Sequence, residues 1–392
     1  MQFTSAITQE KDPLKALEAL GAEVRKALSA NPHLVLLFVS PSYPADWKAL
    51  LPNFRKSLGN PLLLGCSSSG VIGKDLELEF LPAMSLVAAT MPGVSIYPFT
   101  VSQLELDLPQ GRRWTSRIGV SVNDKPSFIL IPEPFSCDAA QLLEDLNDDF
   151  KGRPVIGGMA SGAREPGENF LFLNDDLMQE GAIGIALTGD ISLETIVSQG
   201  CRPIGERYII TEVDENALLS LAGKPPIDIL EELFETLSSR DRLLAQHSLF
   251  LGVVMDEMKS EFKRGDFLIR NIVGADPDTG VLMLGDRLKT GQMVQFHLRD
   301  AKTSEEDLRT LLEERASSFK SHPPAGMLLF SCQGRGKGLY GKPNHDIEMI
   351  RTVAGNSAIA GFFCNGEIGP VGGKAYLHGY TSSLGIFREK QK

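Results

Sequence analysis

Residues 34–40 (LVLLFVS) form a continuous apolar run, the signature of a strand covered on both faces. A second run follows at 61–64, and the residues between them, 46–58, have a helical period. The same order recurs twice. Runs at 128–131 and 154–156 flank a helical stretch at 138–150, and runs at 327–332 and 358–363 flank one at about 344–354. After each second run comes a loop of the form glycine, three residues, Ser or Asn, glycine. The three loops are Gly65 to Ser69-Gly70, Gly157 to Ser161-Gly162 and Gly361 to Asn365-Gly366. Such a motif is common by chance, but its position after three matched strand–helix–strand units predicts an internal repeat. Hairpins are expected to close each copy, from 76–80 with 83–90, from 169–173 with 182–187, and after a turn at 365–370.

Other elements fill the gaps. Asp12-Pro13 reads as N-cap and first residue of a helix with Leu14, Leu17, Leu20 and Val24 on one face. The stretch between the second and third copies predicts strands at 191–198, 207–213, 249–255, 267–272 and 293–298. Its helices are expected at 217–221, 226–238 and 304–317. The expected fold class is α/β, with mixed β-sheets flanked by helices. It would be built from about three degenerate strand-helix-strand-loop-hairpin repeats in two closely packed domains, 1–210 and 211–392.

Composition narrows the function. At 42% hydrophobic and 23% charged residues the chain is of globular type, and 392 residues suit two domains. A net charge of −11 argues against a broad nucleic-acid or anionic-membrane surface. No apolar run reaches the ~20 residues of a membrane span, and the first residues lack a signal-peptide pattern. Five scattered cysteines without a CxxC pair suit reduced thiols in a cytoplasm better than a disulfide framework or a zinc site.

Gly336, Gly338 and Gly341 spell G-x-G-x-x-G between a strand and a helix. A dinucleotide site is not expected, because Pro343 separates these glycines from the helix and no acidic residue ends the next strand. A cradle for a smaller anion beside Arg335 stays open. No HExxH or G-x-S-x-G signals a metal or serine hydrolase.

Several stretches resemble the FIST family. They are residues 270–277 (RNIVGADP), 291–301, 330–336 (FSCQGRG), Leu339-Tyr340-Gly341 and 361–370 (GFFCNGEIGP), with 64–70 (LGCSSSG) resembling its N-terminal half. The resemblance implies an intracellular sensory protein for a small ligand such as an amino acid, whose output passes to a separate signalling protein. It also implies an alternative, since some bacterial members are thought to bind haem and sense nitric oxide. A thiol-dependent enzyme is the second alternative; the preferred reading is not an enzyme and needs no cofactor.

Arg270, Arg299 and Arg335 stand at or just past predicted strand ends, where a guanidinium fork matches a carboxylate. The bland role for each is a structural ion pair, for Arg299 with Asp300 or Asp276. Glu367, in a tight turn beside the third loop, could accept from a ligand's amine or from its own turn. Ser69, Ser161 and Asn365 would line the cleft, with Tyr340 in the glycine-rich segment. Cys66 and Cys332 are candidate thiols, and Cys332 with His378 a candidate acyl-transfer pair, although buried free cysteine is the commoner outcome. Haem would draw on His378 or His297, each more often a hydrogen-bonded core residue.

Overall fold

The computed structural model describes residues 1–43, 45–108, 113–259 and 261–390. It is a mixed α/β structure with helices flanking mixed sheets, as expected. Its chain divides into two compact units: Met1–Val197 with Arg309–Leu377 and Thr381–Lys392, and Ser198–Leu308 with His378–Tyr380.

The larger unit is built on three six-stranded sheets. The first contains β1 (Gln2–Thr8), β2 (Leu34–Val39), β3 (Leu62–Ser67) and β6 (Met84–Thr90), with β4 (Gly70–Gly73) and β5 (Leu76–Glu79) leaving it for another sheet. The second contains β7 (Val94–Val101), β8 (Ser127–Pro132), β9 (Val155–Gly158) and β12 (Ala182–Gly189), and its β10 (Leu171–Leu173) and β11 (Asp176–Met178) also leave. After β13 (Ile191–Gln199) come the six strands of the smaller unit. They are β14 (Cys201–Asp214), β15 (Ala217–Leu221), β16 (Leu249–Val254), β17 (Phe267–Asp276), β18 (Val281–Leu284) and β19 (Met293–Arg299), closed into a barrel in the order β14-β15-β18-β17-β16-β19. The chain then returns to the third sheet with β20 (Gly326–Cys332), β21 (Ala358–Cys364) and β24 (Thr381–Glu389), while β22 (Glu367–Val371) and β23 (Lys374–His378) leave it.

Strand order is the same in all three sheets: β1-β6-β2-β3-β10-β11, β7-β12-β8-β9-β22-β23 and β13-β24-β20-β21-β4-β5. Each sheet is therefore completed by a hairpin from another segment, so β4–β5 joins the third sheet, β10–β11 the first and β22–β23 the second. This corrects two expected pairings. Residues 76–80 do not pair with 83–90, because β5 pairs with β4 while β6 lies between β1 and β2. Likewise β10 pairs with β11 and β3, and β12 with β7 and β8. Alternation marks a strand but tells neither its hairpin partner nor the sheet that receives it.

The apolar runs are buried on both faces, as their continuity requires. In β2, Leu34, Leu36 and Phe38 join the core between the sheets, and Val35, Leu37 and Val39 pack under the helices Pro13–Ala27 and Trp47–Ser57. Phe38 meets Phe362 at 4.9 Å, and Phe362 meets Phe330 at 5.5 Å, so aromatic contacts bridge the first and third sheets. The first glycine of each loop motif lies inside its strand. Gly65, Gly157 and Gly361 sit opposite Leu37, Leu130 and Leu329. A Cβ at any of the three would fall 1.8 Å from that leucine's carbonyl oxygen. Close backbone approach, repeated three times, is what demands glycine there.

Three further expectations are corrected. Residues 217–221 form β15, not a helix, because Leu218 and Leu221 fill the barrel core in a two-stranded pairing with β14. The helix expected at 304–317 starts at Ala301 and gives way to a second, Ala316–Ser321. Ser304 is inside it and gives its hydroxyl to the Gly200 carbonyl at 3.1 Å. Arg270 lies within β17, which runs on to Asp276, and not at a strand end.

Candidate functional site

The three loops meet in the larger unit. Ser161 N–H donates to the Ser67 carbonyl at 3.3 Å, and Ser69 N–H donates to the Ser161 hydroxyl at 3.1 Å. That hydroxyl donates in turn to the Phe363 carbonyl. Met159 N–H reaches the Gly366 carbonyl at 2.9 Å, and Asn365 N–H the Met159 carbonyl at 3.4 Å. The small residues of the motif thus let three chain segments bond directly to one another. Ser161 is buried with its hydroxyl engaged on both sides, Ser69 is half-buried, and the Asn365 side chain is exposed.

The glycine-rich segment lies beside this junction. After Cys332 the chain turns tightly, with Arg335 N–H bonded to the Cys332 carbonyl at 2.9 Å, and a short helix, Gly336–Tyr340, begins among the glycines. Gly336 has φ +61°, and a Cβ there would lie 2.6 Å from a Glu79 carboxylate oxygen. Lys337 N–H donates to Glu79 Oε1 at 2.8 Å. The next helix, His345–Ala354, follows Asn344, whose side chain makes no cap bond to it. Instead Ile347 N–H donates to Glu77 Oε1 at 2.8 Å, and the Asn344 Oδ1 accepts from Glu77 N–H at 2.8 Å. The two glutamates of the incoming β5 therefore occupy both helix starts, and Gly336 is the glycine that lets Glu79 approach. The cradle considered for a small anion holds the chain's own carboxylates.

Behind the glycines is a buried ionic network. Arg335 is 1% exposed and grips Asp346 through Nε at 2.7 Å and Nη2 at 3.3 Å. His345 Nδ1 lies 3.0 Å from Asp346 Oδ1, and the Tyr340 ring stacks on His345 at 3.5 Å. Burial alone would raise the Asp346 pKa, but the Arg335 charge and the His345 contact hold it well below the carboxylate range. Glu77 behaves oppositely, pushed up to about 8 by burial and by the Asp346 charge. Burial also raises Glu367 well above its ordinary value, although its carboxylate accepts the Thr381 N–H at 3.0 Å. The Cys332 thiol bonds to the same Glu367 carboxyl. Among the described residues seven polar atoms in this region are buried with no hydrogen-bond partner: Arg335 Nη1, Glu77 Oε2, Glu367 Oε1, and the hydroxyls of Ser68, Ser331, Tyr340 and Ser382.

The remaining candidates belong to the barrel unit. Arg299 closes β19 with its guanidinium 4.5 Å from the Tyr380 ring centroid, and Tyr380 donates to Asn271 Oδ1. Asp300, a suggested partner of Arg299, is held by Arg202 at 3.2 Å. Arg270 pairs with Asp286. His297 is 1% exposed, with Nδ1 3.0 Å from the Gln295 carbonyl and its ring edge-on to Phe267; burial lowers its pKa to about 4. His378, buried, ends β23. Among the described residues no His, Cys, Asp and Glu group is arranged to hold a metal ion, and no helix is long and apolar enough to cross a membrane.

The structure thus gathers Arg335, Tyr340, Cys332 and Glu367 into one cluster, and places Cys66, Ser69 and Ser161 in the adjoining strand ends and loops. Arg270, Arg299, His297 and His378 fall in the other unit. Asp346, His345, Glu77 and Glu79 were not singled out from sequence. Asp346 carried a usable signal, an acid eleven residues after Arg335 in the helix that the glycine loop feeds. The two glutamates of 76–79 (LELE) carried none, since the alternation reads as an ordinary solvated strand face.

A three-sheet body with exchanged hairpins, a barrel inserted before its third sheet is completed, and a buried Arg–Asp–Glu cluster at one loop together define the class. Family models agree over nearly the whole length: the FIST N domain matches residues 33–224 and the FIST C domain residues 226–370. The chain belongs to the FIST family. An uncharacterized protein of Mycobacterium tuberculosis is 36% identical over 99% of this chain and all of its own length. An uncharacterized protein of Mycobacterium bovis is 34% identical over 95% of each chain. An F-box/LRR-repeat protein of Arabidopsis thaliana is 25% identical over 46% of this chain and 37% of its own. A cyanuric acid hydrolase structure from A. caulinodans aligns over both full chains at 8% identity with a TM-score of 0.32, too low to support an argument.

Proposed function

We propose that this chain is a sensory protein that binds a small polar ligand, an amino acid or a similar zwitterion, at the Arg335–Glu77 cluster. FIST domains are associated with sensing in signal transduction. The observation that supports the reading is a pair of oppositely charged residue types, Arg335 and Glu77, each buried and each with one polar atom lacking a partner. A buried unpaired polar atom costs about 1–3 kcal/mol, and a ligand carboxylate at Arg335 Nη1 with an amine at Glu77 or Glu367 would recover that cost. The hydroxyls of Ser68 and Ser331 add neutral partners. Because Glu77 arrives on the β4–β5 hairpin, occupancy would tighten that hairpin against the helix His345–Ala354, and a separate signalling protein would read the change. The setting we assign is the cytoplasm, in keeping with five free thiols.

The test is a melting-temperature screen of the full chain against amino acids and simple carboxylates. A ligand at about one hundred times its Kd stabilises by ~2.7 kcal/mol, so binders raise the transition clearly. A flat response across the panel would overturn the proposal.

A further inference from the structure

Three of the five cysteines lie around the same strand ends. Cys66 is near the end of β3, Cys332 ends β20 and Cys364 ends β21. Cys332 and Cys364 are direct register partners on parallel neighbours, so their side chains leave the same face of the sheet. Neighbouring strands stand ~5 Å apart, inside the Cα separation that a disulfide spans. The two thiols differ in setting. Cys364 is buried, with its pKa raised by burial and by nearby Glu367, and it donates to the Phe362 carbonyl at 3.5 Å. Cys332 is the one cysteine of the five that is not fully buried.

The groups around Cys332 suit the activation of a thiol. Gly334 N–H donates to its sulfur at 3.4 Å. The Arg335 guanidinium, fully buried with Nη1 unpartnered, interacts electrostatically with that sulfur. The carboxyl of Glu367, 0% exposed, lies beside the thiol and, with its pKa raised by burial, is a neighbour that holds its own proton and adds no negative charge against the thiolate.

We infer that Cys332 is a site of reversible oxidation by hydroperoxides, resolved by Cys364 into an intramolecular disulfide across β20 and β21. In the first step the Cys332 thiolate attacks the terminal peroxide oxygen, the O–O bond breaks, and an alcohol or water leaves; Cys332 becomes a sulfenic acid. Next the Cys364 sulfur attacks the Cys332 sulfur, and the sulfenic hydroxyl departs as water with the Cys364 proton. Two thiols lose two electrons and two protons in total, and one peroxide is reduced. A link between adjacent parallel strands draws the Cβ atoms closer than sheet spacing places them, and a strained disulfide of this kind is readily reduced again.

The experiment treats the full-length chain with a few equivalents of hydrogen peroxide, blocks remaining thiols, and maps links by mass spectrometry of a non-reduced digest. The expected product is a Cys332–Cys364 peptide pair that dithiothreitol separates. Cys364→Ser should stop at a sulfenic acid on Cys332 that dimedone traps, and Cys332→Ser should leave Cys364 as a free thiol. The inference fails if wild-type Cys332 stays reduced, or if the link joins Cys66, Cys137 or Cys201. It also fails if Cys364→Ser yields no dimedone adduct at Cys332.

Discussion

The two units treat buried charge in different ways. In the barrel, Arg270 has Asp286 sixteen residues along, Arg299 lies over an aromatic ring, and His297 is kept neutral against a carbonyl two residues away. In the three-sheet unit, Arg335 and Asp346 form a sealed pair whose neighbour Glu77 comes from a hairpin of another segment, and atoms of both Arg335 and Glu77 stay without partners. The exchanged hairpin brings Glu77 and Glu79 to the two helix starts, so the buried acids of this unit come from a segment remote in sequence.

The sharpest way to break this comparison is to remove one acid from each unit. Asp346→Ala leaves Arg335 buried without its counter-ion and should cost ~3–5 kcal/mol. Asp286→Ala frees a partly exposed pair and should cost below ~1 kcal/mol. Comparable urea midpoints for the two variants would contradict the contrast.

Acidification should move the units in opposite directions. The Glu77 pKa is raised from 4.5 to about 8, so the folded state holds a proton that the unfolded chain has lost between those values. Its contribution is fully present below pH 4.5 and falls as pH rises towards 8. The His297 pKa is lowered from 6.5 to about 4, so here the unfolded chain binds the proton first, and stability is lost as pH falls from 6.5 to 4. Hydrogen-exchange protection factors should then rise in β5 and the helix His345–Ala354, and fall in β16 and β19, on going from pH 7.5 to 5, values chosen inside about one unit of those limits. Glu77→Gln should flatten the first trend and leave the second. A common direction in both units would refute it.

A smaller effect is expected at Gly336. An alanine there takes a left-handed φ and crowds Glu79, costing about 1–2 kcal/mol. Gly338→Ala, with open space and an ordinary φ, should be neutral or slightly stabilising in the same melting assay.

Much of this fold was readable because continuous apolar runs and caps are local signals. The paired strands of each sheet and the helices after Asp12, Asp46 and Asp138 follow from them. Hairpin exchange was not readable, since the side-chain pattern of β4–β5 is the same whichever sheet receives it. For the site, Arg335 and Glu367 stood out as charges among glycines. Glu77 did not, because its burial depends on a helix 270 positions later in the chain. Of the glycines that spelled a phosphate-loop motif, Gly336 serves instead to admit Glu79, while Gly65, Gly157 and Gly361 admit the carbonyls of Leu37, Leu130 and Leu329.

Ligand binding at the Arg335–Glu77 cluster is tested most directly by calorimetric titration of the best screened amino acid into wild type and Glu77→Gln. The variant keeps the shape of the side chain but cannot give up a proton to pair with a bound amine, and its own melting curve establishes that it is folded. The expected result is a saturable isotherm for wild type that weakens at least about tenfold, ~1.4 kcal/mol, in the variant. Equal affinity in the two proteins, or no heat of binding in wild type, would contradict a ligand site at this cluster.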